Sequence, residues 1–487
     1  MDEVKSTQGY STGTPVESRP SATELLAGIR EGQITAVAAV EETLSQIAGW
    51  QDLNAVAHLN ADAALQAARA VDAGKVAGPL AGLPIVVKDN IQVAGLPAAA
   101  GTPGLQDAIA AANAPVLQKL VEAGAVVVAT TNMHELAFGI SGYNPTYQPG
   151  PETGVRNPYD LSRFAAGSSS GTGALVGSGA VSAGLGTDTG GSVRLPAAIN
   201  GVAGLRPTLN RYPTGGLVPI SRTRDTSGVI AASVADIELL DRVITGDDCI
   251  AVRDLRGVKL GLASDFTEGL DADVAVVWAG VVTRLRGAGV DFVQIDASEI
   301  VALNHAVSFP VVMTEANAHL RDYLAEHAPH LTLEDVVARI ASPDVKATYE
   351  TFILPGKLPS PTGDLIDGAP LYRAAIEIHR PALIAAYDAL FAASGIDALI
   401  FPTSPCVAAL AGPESSAPEV FGTFIRNADP GSNAGIPGLS IAAGRGPATG
   451  LPVGIELDGP VGSDRALIAL GLAIETLLGR IQPPVRN

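Results

Sequence analysis

The chain has 487 residues, of which 47% are apolar and 17% are charged, so it is long enough to bury a large hydrophobic core. Its formal net charge is −19, and such a surface repels the phosphate backbone of nucleic acids. The two cysteines, Cys249 and Cys406, lie far apart in the sequence and exclude a fold organised by disulfide bonds. We therefore expect a soluble globular protein that does not bind nucleic acid.

The first 20 residues, "MDEVKSTQGYSTGTPVESRP", are polar and acidic, which predicts a flexible tail. They hold no apolar stretch of the signal-peptide kind. No run of 18 or more apolar residues lacks glycine, serine or charge, so we expect no membrane span and a cytoplasmic location. At Ser21 a capping box with Glu24 predicts the start of a helix, and Gly32 separates that helix from a second one.

Short β-branched segments further along the chain predict buried strands. The run Ala123–Thr131 follows a helical segment and predicts a buried parallel strand, and "GVKLGLASD" and "DALIFPTSP" predict the same. Because such strands alternate with helices, we expect an α/β fold in which helices cover a sheet. No internal repeat or low-complexity linker interrupts residues 21–487, which predicts one compact unit.

Residues 270–395 differ in pattern from the rest of the chain. They are mostly helical, contain five of the seven histidines and include the loop "LPGKLPSPTGD". We expect this region to form a helical, cap-like insertion over the sheet.

The segment "GTDTGGSVRLPAA", Gly186–Ala198, predicts a tight turn that presents Ser192. Two glycines precede this serine, and Asp188 and Arg194 flank the turn. Histidine is the usual base for a nucleophilic serine, but none lies within 50 residues of Ser192 in either direction. Another group must therefore accept the proton of this serine.

Lys88 and Ser168 are the candidates for that proton transfer. Lys88 ends the apolar run "GLPIVVK", and Ser168 belongs to "GSSSGTG". A lysine acts as a base only when it is neutral, and lowering its pKa by ~3 units takes ~4 kcal/mol of differential desolvation and hydrogen bonding, which buried sites supply. Ser168 would then pass the proton of Ser192 to Lys88. Taken alone, Lys88 also fits a lysine at a strand end whose amine reaches solvent.

The stretch "GSSSGTGALVGSGAVSAGLGTDTGGSVRLPA", Gly167–Ala197, resembles the signature of the amidase signature family, whose enzymes use a Ser-Ser-Lys triad. The family's lysine segment is similar to residues 82–89 of this chain. The resemblance implies that Lys88 is the base, Ser168 the bridging residue and Ser192 the nucleophile.

The glycines of the turn lack Cβ atoms, which lets successive N–H groups converge on one oxygen. The resemblance implies an oxyanion hole formed by the backbone N–H groups of Thr189, Gly190, Gly191 and Ser192. It implies that the turn is supported by Ser169, Asp188 and Arg194. A mostly apolar stretch predicts a substrate pocket, although each of its candidates also fits core packing. These candidates are Met133, Leu136, Phe138, Gly139 and Tyr143.

The resemblance is strong over residues 21–245 and moderate over 395–475. The segments "TNMHELAFGISGYNP", "LVPISRTRDTSG" and "IRNADPGSNAGIPGLSI" are similar to the branch of indoleacetamide and mandelamide hydrolases. The family fold implies a single domain with a mixed, mainly parallel β-sheet wrapped by helices, and implies that 270–395 influences substrate choice. Two departures could reshape the pocket rim: Ser170 replaces a glycine, and "QPGPETG" at 148–154 is an apparent insertion.

The activity that this resemblance implies is hydrolysis of the C–N bond of a small aryl or alkyl carboxamide through an acyl-enzyme on Ser192. Some family members also cleave esters or carbamates. No metal or organic cofactor is needed, and we expect a monomer or homodimer. One alternative is a subunit of a tRNA-dependent amidotransferase, which uses the same triad but requires partner subunits, and the acidic surface argues against it. A second alternative, a non-catalytic binding module, is disfavoured by the intact triad.

Three other segments resemble motifs of different kinds of site. The segment Gly171–Gly177, "GTGALVG", fits a glycine-rich dinucleotide loop, but the residues before it are small and polar instead of forming a strand. The "HEL" of His134–Leu136 fails as a zinc helix because position 138 is phenylalanine. Pro329 interrupts "HAPH" at His327–His330, so we expect a helix end there instead of a metal site.

Overall fold

The computed structural model describes residues 21–148 and 153–485. The predicted tail, residues 1–20, lies outside them, as do residues 149–152 at the centre of the predicted insertion. Among the described helices, none has the length and the apolar composition that a membrane crossing requires.

The elements alternate along the chain as expected of an α/β protein. The strands are β1 Val56–Leu59, β2 Pro84–Lys88, β3 Val126–Thr131, β4 Arg156–Asn157, β5 Asp160–Phe164, β6 Ala183–Asp188, β7 Ala203–Arg206, β8 Thr226–Ala231, β9 Lys259–Ala263, β10 Asp291–Ile295, β11 Lys357–Pro359, β12 Leu365–Asp367, β13 Ala398–Pro402, β14 Gly438–Arg445 and β15 Pro452–Asp458. The helices are α1 Ala22–Arg30, α2 Ala36–Gly49, α3 Ala61–Asp72, α4 Pro115–Glu122, α5 Ser170–Gly177, α6 Arg194–Ile199, α7 Val234–Thr245, α8 Ala272–Gly287, α9 Ser298–His327, α10 Leu333–Ala338, α11 Pro343–Thr348, α12 Ala369–Ala374, α13 Arg380–Ser394, α14 Pro418–Ile425, α15 Asp429–Ala434 and α16 Asp464–Leu478.

The local predictions are confirmed. The Oγ of Ser21 accepts a hydrogen bond from the Glu24 amide, and the Glu24 carboxylate accepts one from the Ser21 amide, so the capping box starts α1. The three predicted buried strands are β3, β9 and β13.

One large mixed sheet organises the fold, with the strand order β1-β3-β2-β6-β8-β7-β14-β15-β13-β9-β10. Two blocks of parallel pairs, β3-β2-β6 and β13-β9-β10, flank a centre in which neighbouring strands are antiparallel. The predicted α/β fold, with a mixed sheet wrapped by helices, is confirmed.

Alternate residues of the central strands face two different hydrophobic clusters. On β2, Ile85 and Val87 belong to the cluster on one face of the sheet, whereas Val86 belongs to the cluster on the other face. On β13, Ile400 belongs to the first of these clusters. Its neighbour Phe401 belongs to a third cluster, in which it packs against the helices of the cap-like region. Because both faces are covered, these strands consist almost entirely of apolar residues.

The parallel pairing of β2 with β6 determines where the polar residues at their ends lie. Val86 is paired with Gly184 and Val87 with Leu185, so both strands run toward the same edge of the sheet. This edge carries Lys88 at the end of β2 and the turn that follows β6. Two predicted site segments, separated by about a hundred residues in sequence, thereby become neighbours.

The region 270–395 divides into two parts. Its first part contributes α8 and β10, and β10 pairs in parallel with β9 at the end of the large sheet. Its second part begins at α9 and is almost entirely helical, with a small pair of antiparallel strands, β11 and β12. The helical part that fits the predicted cap-like region thus begins at Ser298, and its influence on substrate choice stays a prediction.

Candidate active site

Lys88 is completely buried at the end of β2, and its amine donates hydrogen bonds to polar groups at the end of the neighbouring strand and in the serine segment. Its Nζ donates hydrogen bonds to the Oγ of Ser168 at 2.7 Å and to the Oγ1 of Thr187 at 2.8 Å. Burial lowers the pKa of Lys88 to about 7, although the carboxylates of Asp188 and Asp225 act in the opposite direction. A substantial fraction of this lysine is therefore neutral near neutral pH, as a general base requires.

The segment of Ser168 is bound to its neighbours through the backbone. The carbonyl of Ser168 accepts a hydrogen bond from the amide of His134 at 3.2 Å. The next amide, that of Ser169, donates to the carbonyl of Ser192 at 3.2 Å, and its hydroxyl donates to the carbonyl of Thr187. These bonds connect the segment of Ser168 and Ser169 to the backbone of Ser192 and to the end of β6.

The turn after β6 presents Ser192 to a cavity. Gly191 has a φ of 122°, a conformation that residues with a Cβ rarely adopt, and a Cβ there would lie 2.7 Å from that of Ala428. Ser192 is 7% exposed and lines the cavity, and helix α6 begins two residues later at Arg194. The glycines therefore allow a strand-to-helix turn that would otherwise collide with a neighbouring segment.

Asp188 holds this turn together from inside the protein. Its carboxylate accepts hydrogen bonds from the amides of Gly191 and Val193 and pairs with Arg194 and Arg206, all of them buried. Burial raises the pKa of Asp188, but the two guanidinium groups outweigh this effect and hold the pKa well below its usual range. Asp188 and Arg194 thus lie where a supporting role would place them.

One predicted oxyanion donor is already engaged within the turn. The N–H of Gly191 donates to the Oδ1 of Asp188 at 2.8 Å, so it is occupied inside the turn. The amides of Thr189, Gly190 and Ser192 have no hydrogen-bond partner among the described residues, and all three residues line the cavity. These three N–H groups are the donors left for an oxyanion.

The cavity in front of Ser192 has a volume of about 430 Å³ and a mostly apolar wall. Its four phenylalanines are Phe138, Phe309, Phe352 and Phe421. Its charged or ionisable side chains are His134, Arg224, Asp344 and Asp429. Helices α9 and α11 of the cap-like region contribute several of these residues, so the cavity lies between the sheet edge and that region.

The predicted pocket residues fall into two groups. The structure places Phe138 and Gly139 in the cavity wall, and their contact with substrate stays a prediction. The prediction is wrong for Met133 and Leu136, which are buried in a hydrophobic cluster behind the wall, and Tyr143 also lies outside the wall. Leu136 has a φ of 51°, and this left-handed turn directs the segment away from a regular helix.

Ser170, the departure from the family pattern, does not line the cavity. It is buried at the start of α5, and its hydroxyl contacts the Ser168 carbonyl at 3.5 Å. A Cβ on Gly142 would lie 2.5 Å from this hydroxyl, so Ser170 fills space against a neighbouring loop. The effect of 148–154 on the rim stays a prediction, because the centre of that segment lies outside the described residues.

A contact between the core and the cap-like region joins two residues that the sequence does not connect. The Nε2 of His134 lies 3.2 Å from the Oδ2 of Asp344 on α11, and its Nδ1 lies 3.4 Å from the Oγ of Ser141. Gly139 packs against the imidazole, since a Cβ there would come within 2.2 Å of the ring. No local pattern connects His134 to a carboxylate 210 residues away.

A second missed group is the buried ion pair of Arg224 with Asp429 in the cavity wall. Both residues lie in segments singled out for their resemblance, "LVPISRTRDTSG" and "IRNADPGSNAGIPGLSI", which was the available signal. In the part of the chain that the structure describes, no group of three or more histidine, cysteine, aspartate or glutamate side chains could hold a metal ion.

The profile of the family described as Amidase matches residues 38–468. The chain belongs to this amidase family. As an amidase it hydrolyses an amide C–N bond, and the predicted amidase-signature fold is confirmed. This amidase is 45% identical to the mandelamide hydrolase of Pseudomonas putida over 469 residues, which are 96% of this chain and 92% of that protein.

Two further comparisons agree. The amidase is 38% identical to the indoleacetamide hydrolase of Agrobacterium vitis over 477 residues, with 96% of this chain and 99% of that protein covered. It superimposes on the crystal structure of the peptide amidase from Stenotrophomonas maltophilia with a TM-score of 0.79 and 29% identity, covering 95% of this chain and 98% of that one. The predicted resemblance to the mandelamide and indoleacetamide hydrolase branch is confirmed.

Proposed function

We propose that this amidase hydrolyses the carboxamide of a small aryl-substituted acid through an acyl-enzyme on Ser192. The apolar cavity with its four phenylalanines supports an aromatic acyl group, and about 430 Å³ is a normal volume for a small-molecule site. The names of two relatives point the same way, since mandelamide and indoleacetamide are both aromatic acetamides.

The observation that carries the proposal is the buried bond between Lys88 and Ser168. With its pKa near 7, neutral Lys88 can accept the hydroxyl proton of Ser168. Ser168 in turn accepts the proton of Ser192 as the Ser192 oxygen bonds to the substrate carbonyl carbon. The carbonyl oxygen becomes an oxyanion, and the N–H groups of Thr189, Gly190 and Ser192 are the available donors to it.

The tetrahedral intermediate then collapses to the acyl-enzyme. The C–N bond breaks, and the leaving nitrogen takes the proton from Lys88 through Ser168, so that ammonia or an amine departs and an ester on Ser192 remains. Water then attacks this ester and gives a proton to the same relay. The bond between the acyl carbon and the Ser192 oxygen breaks, and that oxygen takes the proton back from the relay as the acid leaves. An ester or carbamate carbonyl fits the same steps, which supports esters and carbamates as further substrates.

A substrate panel tests the proposal. Phenylacetamide, acetamide, a p-nitroanilide, an aryl ester and an aryl carbamate are incubated with the purified chain, and acid and ammonia or amine release are measured. We expect the highest kcat/KM on the aromatic amide and a mass increase of one acyl group on Ser192 after rapid quenching. Hydrolysis without any acylated Ser192 under rapid-quench conditions, or loss of activity by chelators, would contradict the proposed chemistry.

The same substrate panel distinguishes the proposed hydrolase from the alternative, a subunit of a tRNA-dependent amidotransferase. Such a subunit needs partner chains, whereas we expect the lone chain to hydrolyse a free amide. The nearly full-length similarity to hydrolases named for single small amides favours the hydrolase.

A further inference from the structure

Two buried arginines hold the backbone carbonyls of the turn that carries the nucleophile. The Nη1 of Arg206 donates to the carbonyl of Asp188 at 2.5 Å, and the Nε of Arg224 donates to the carbonyl of Thr189 at 3.1 Å. The two arginines are themselves connected, because the Nη2 of Arg206 donates to the carbonyl of Arg224 at 2.7 Å.

These bonds determine where the neighbouring N–H groups point. In a trans peptide unit the C=O and the following N–H point in opposite directions. A carbonyl of Thr189 held by Arg224 therefore directs the N–H of Gly190 away from the guanidinium. Gly190 packs closely against the ion pair of Arg224 and Asp429, since a Cβ on Gly190 would lie 3.0 Å from the Nη2 of Arg224 and 2.9 Å from the Oδ1 of Asp429. The amide of Gly190, unpartnered among the described residues, is thus held in one orientation.

Arg224 also contacts the cap-like region. Its Nη1 donates to the carbonyl of Ser308 at 3.2 Å and to its hydroxyl at 3.3 Å, and Nη2 pairs with Asp429. Asp429 in turn accepts from the Nδ2 of Asn304 at 2.9 Å. Ser308 and Asn304 both lie on α9, the helix that supplies Phe309 to the cavity wall.

We propose that Arg224 is a positioning residue, which aims the Gly190 N–H at the oxyanion and makes this aim depend on helix α9 of the acyl pocket. The inference rests on the proposed function, because it assumes a tetrahedral intermediate on Ser192. An ion pair with Asp429 alone would require only one of the guanidinium's nitrogens. The planar guanidinium instead donates to acceptors on three residues, Thr189, Ser308 and Asp429, which the single ammonium of a lysine cannot reach together.

The test compares Arg224→Lys with the wild type on phenylacetamide and two inhibitors. Phenylacetaldehyde adds to a serine to form a tetrahedral adduct, whereas 2-phenylethanol fills the acyl pocket and has no carbonyl. Removing an oxyanion donor typically lowers kcat by about 10²–10³-fold. Because displacement weakens a donor less than removal does, we expect kcat to fall by roughly 100-fold while KM stays within about threefold. The affinity for phenylacetaldehyde should fall by a similar factor and that for 2-phenylethanol should barely change.

Arg222→Lys is the matched control. Arg222 lies two residues earlier, is about half exposed and pairs with Asp322 of the same helix α9. We expect wild-type kcat and wild-type inhibitor affinities from this variant.

The outcomes separate the two levels of the proposal. A wild type that neither hydrolyses phenylacetamide nor binds phenylacetaldehyde through Ser192 would overturn the proposed function. A wild type that does both, with an Arg224→Lys variant that keeps its kcat or loses both inhibitors equally, would overturn the positioning role alone. If Arg224→Lys does not fold, the double variant Arg224→Gln with Asp429→Asn replaces the ion pair by neutral groups, and the same two results apply to it.

Discussion

The Nζ of Lys88 lies 2.7 Å from the Oγ of Ser168, and neither side chain is exposed to solvent. A charged ammonium in this position would have lost its hydration, and for this reason burial lowers the pKa of Lys88 to about 7. The same contact gives the neutral amine a proton donor within hydrogen-bond distance. Several measurable properties depend on it.

The first is the pH dependence of kcat/KM. The neutral form of Lys88 is the active one, so activity should rise with pH through a midpoint near 7. About a tenth of the lysine is neutral at pH 6 and about nine-tenths at pH 8 for such a pKa. Lys88→Arg should be inactive over this range, because a guanidinium does not lose its proton.

Two control variants identify the titrating group. Burial also raises the pKa of Asp89 to about 7, so Asp89→Asn tests whether this neighbour is responsible for the rising limb. His134→Asn tests the histidine whose amide contacts Ser168. We expect the limb in both variants. If the rising limb of the pH profile disappeared in either variant, the ionisation would be assigned to that residue instead of Lys88.

The second prediction concerns the two serines. Ser192→Ala should lower kcat by at least about 10⁴-fold, since it removes the nucleophile. Ser168→Ala should lose less, because a water can replace a bridging hydroxyl. Rapid-quench mass spectrometry should detect an acylated wild type and no acylation of Ser192→Ala. Retention of more than about one hundredth of wild-type kcat by Ser192→Ala would refute the assignment.

The third prediction concerns the aromatic wall of the cavity. Phe309 projects from α9, and its ring packs edge-on against that of Phe352 with centroids 5.5 Å apart. Phe309→Ala should raise KM for phenylacetamide about tenfold, the effect of losing between one and two kcal/mol of apolar contact. Acetamide hydrolysis should barely change. Ile378→Ala, at a position exposed outside the cavity, is the control, and an equal KM increase for both amides would argue against an aryl site.

The fourth prediction concerns stability. Asp188→Asn should destabilise the protein by about 3–5 kcal/mol, because it leaves Arg194 and Arg206 buried without this counter-charge. Asp254→Asn breaks the exposed pair with Arg256 and should leave Tm unchanged. Thermal unfolding of the two variants measures the difference.

The pH dependence of that difference follows from the direction of the shift. The pKa of Asp188 is depressed, so its stabilisation is present above the ordinary carboxyl pKa and is lost only in acid. The Tm deficit of Asp188→Asn should therefore be present throughout the range from about pH 5 to 9. It should be larger at the acidic end, because the Asp188 carboxylate also raises the pKa of Lys88. A deficit that vanished within this interval would mean that another group is responsible.

The parts of the site that the sequence predicts are those in which a local pattern encodes the chemistry. Lys88 ends an apolar run and Ser192 follows two glycines, and both patterns can be recognised without knowing which strands are neighbours. The engaged N–H of Gly191 could not be anticipated, because it depends on which way the Asp188 carboxylate turns. Likewise, Leu136 points into the core because of a left-handed backbone at a non-glycine residue, which no periodicity reveals.

Contacts between distant segments set the other limit. His134 meets Asp344, and Arg224 meets Asp429, across more than 200 residues in each case. Such pairs arise only when the cap-like region folds back over the sheet edge. In the same way, the sequence pattern of α8 and β10 does not reveal that β10 pairs with β9 in the large sheet.

The path of the chain through the end of the sheet separates changes in the cap-like region from changes in the strands that carry the catalytic residues. Residues 298–394 leave the sheet after β10 and return at β13, and both of these strands are neighbours of β9. Five strands separate β9 from β6, so alterations within this excursion leave the ladders of β2 and β6 intact. A descendant of this enzyme can thus evolve a new acyl preference while it inherits its hydrolytic chemistry unchanged, provided that the contacts of α9 with Arg224 persist.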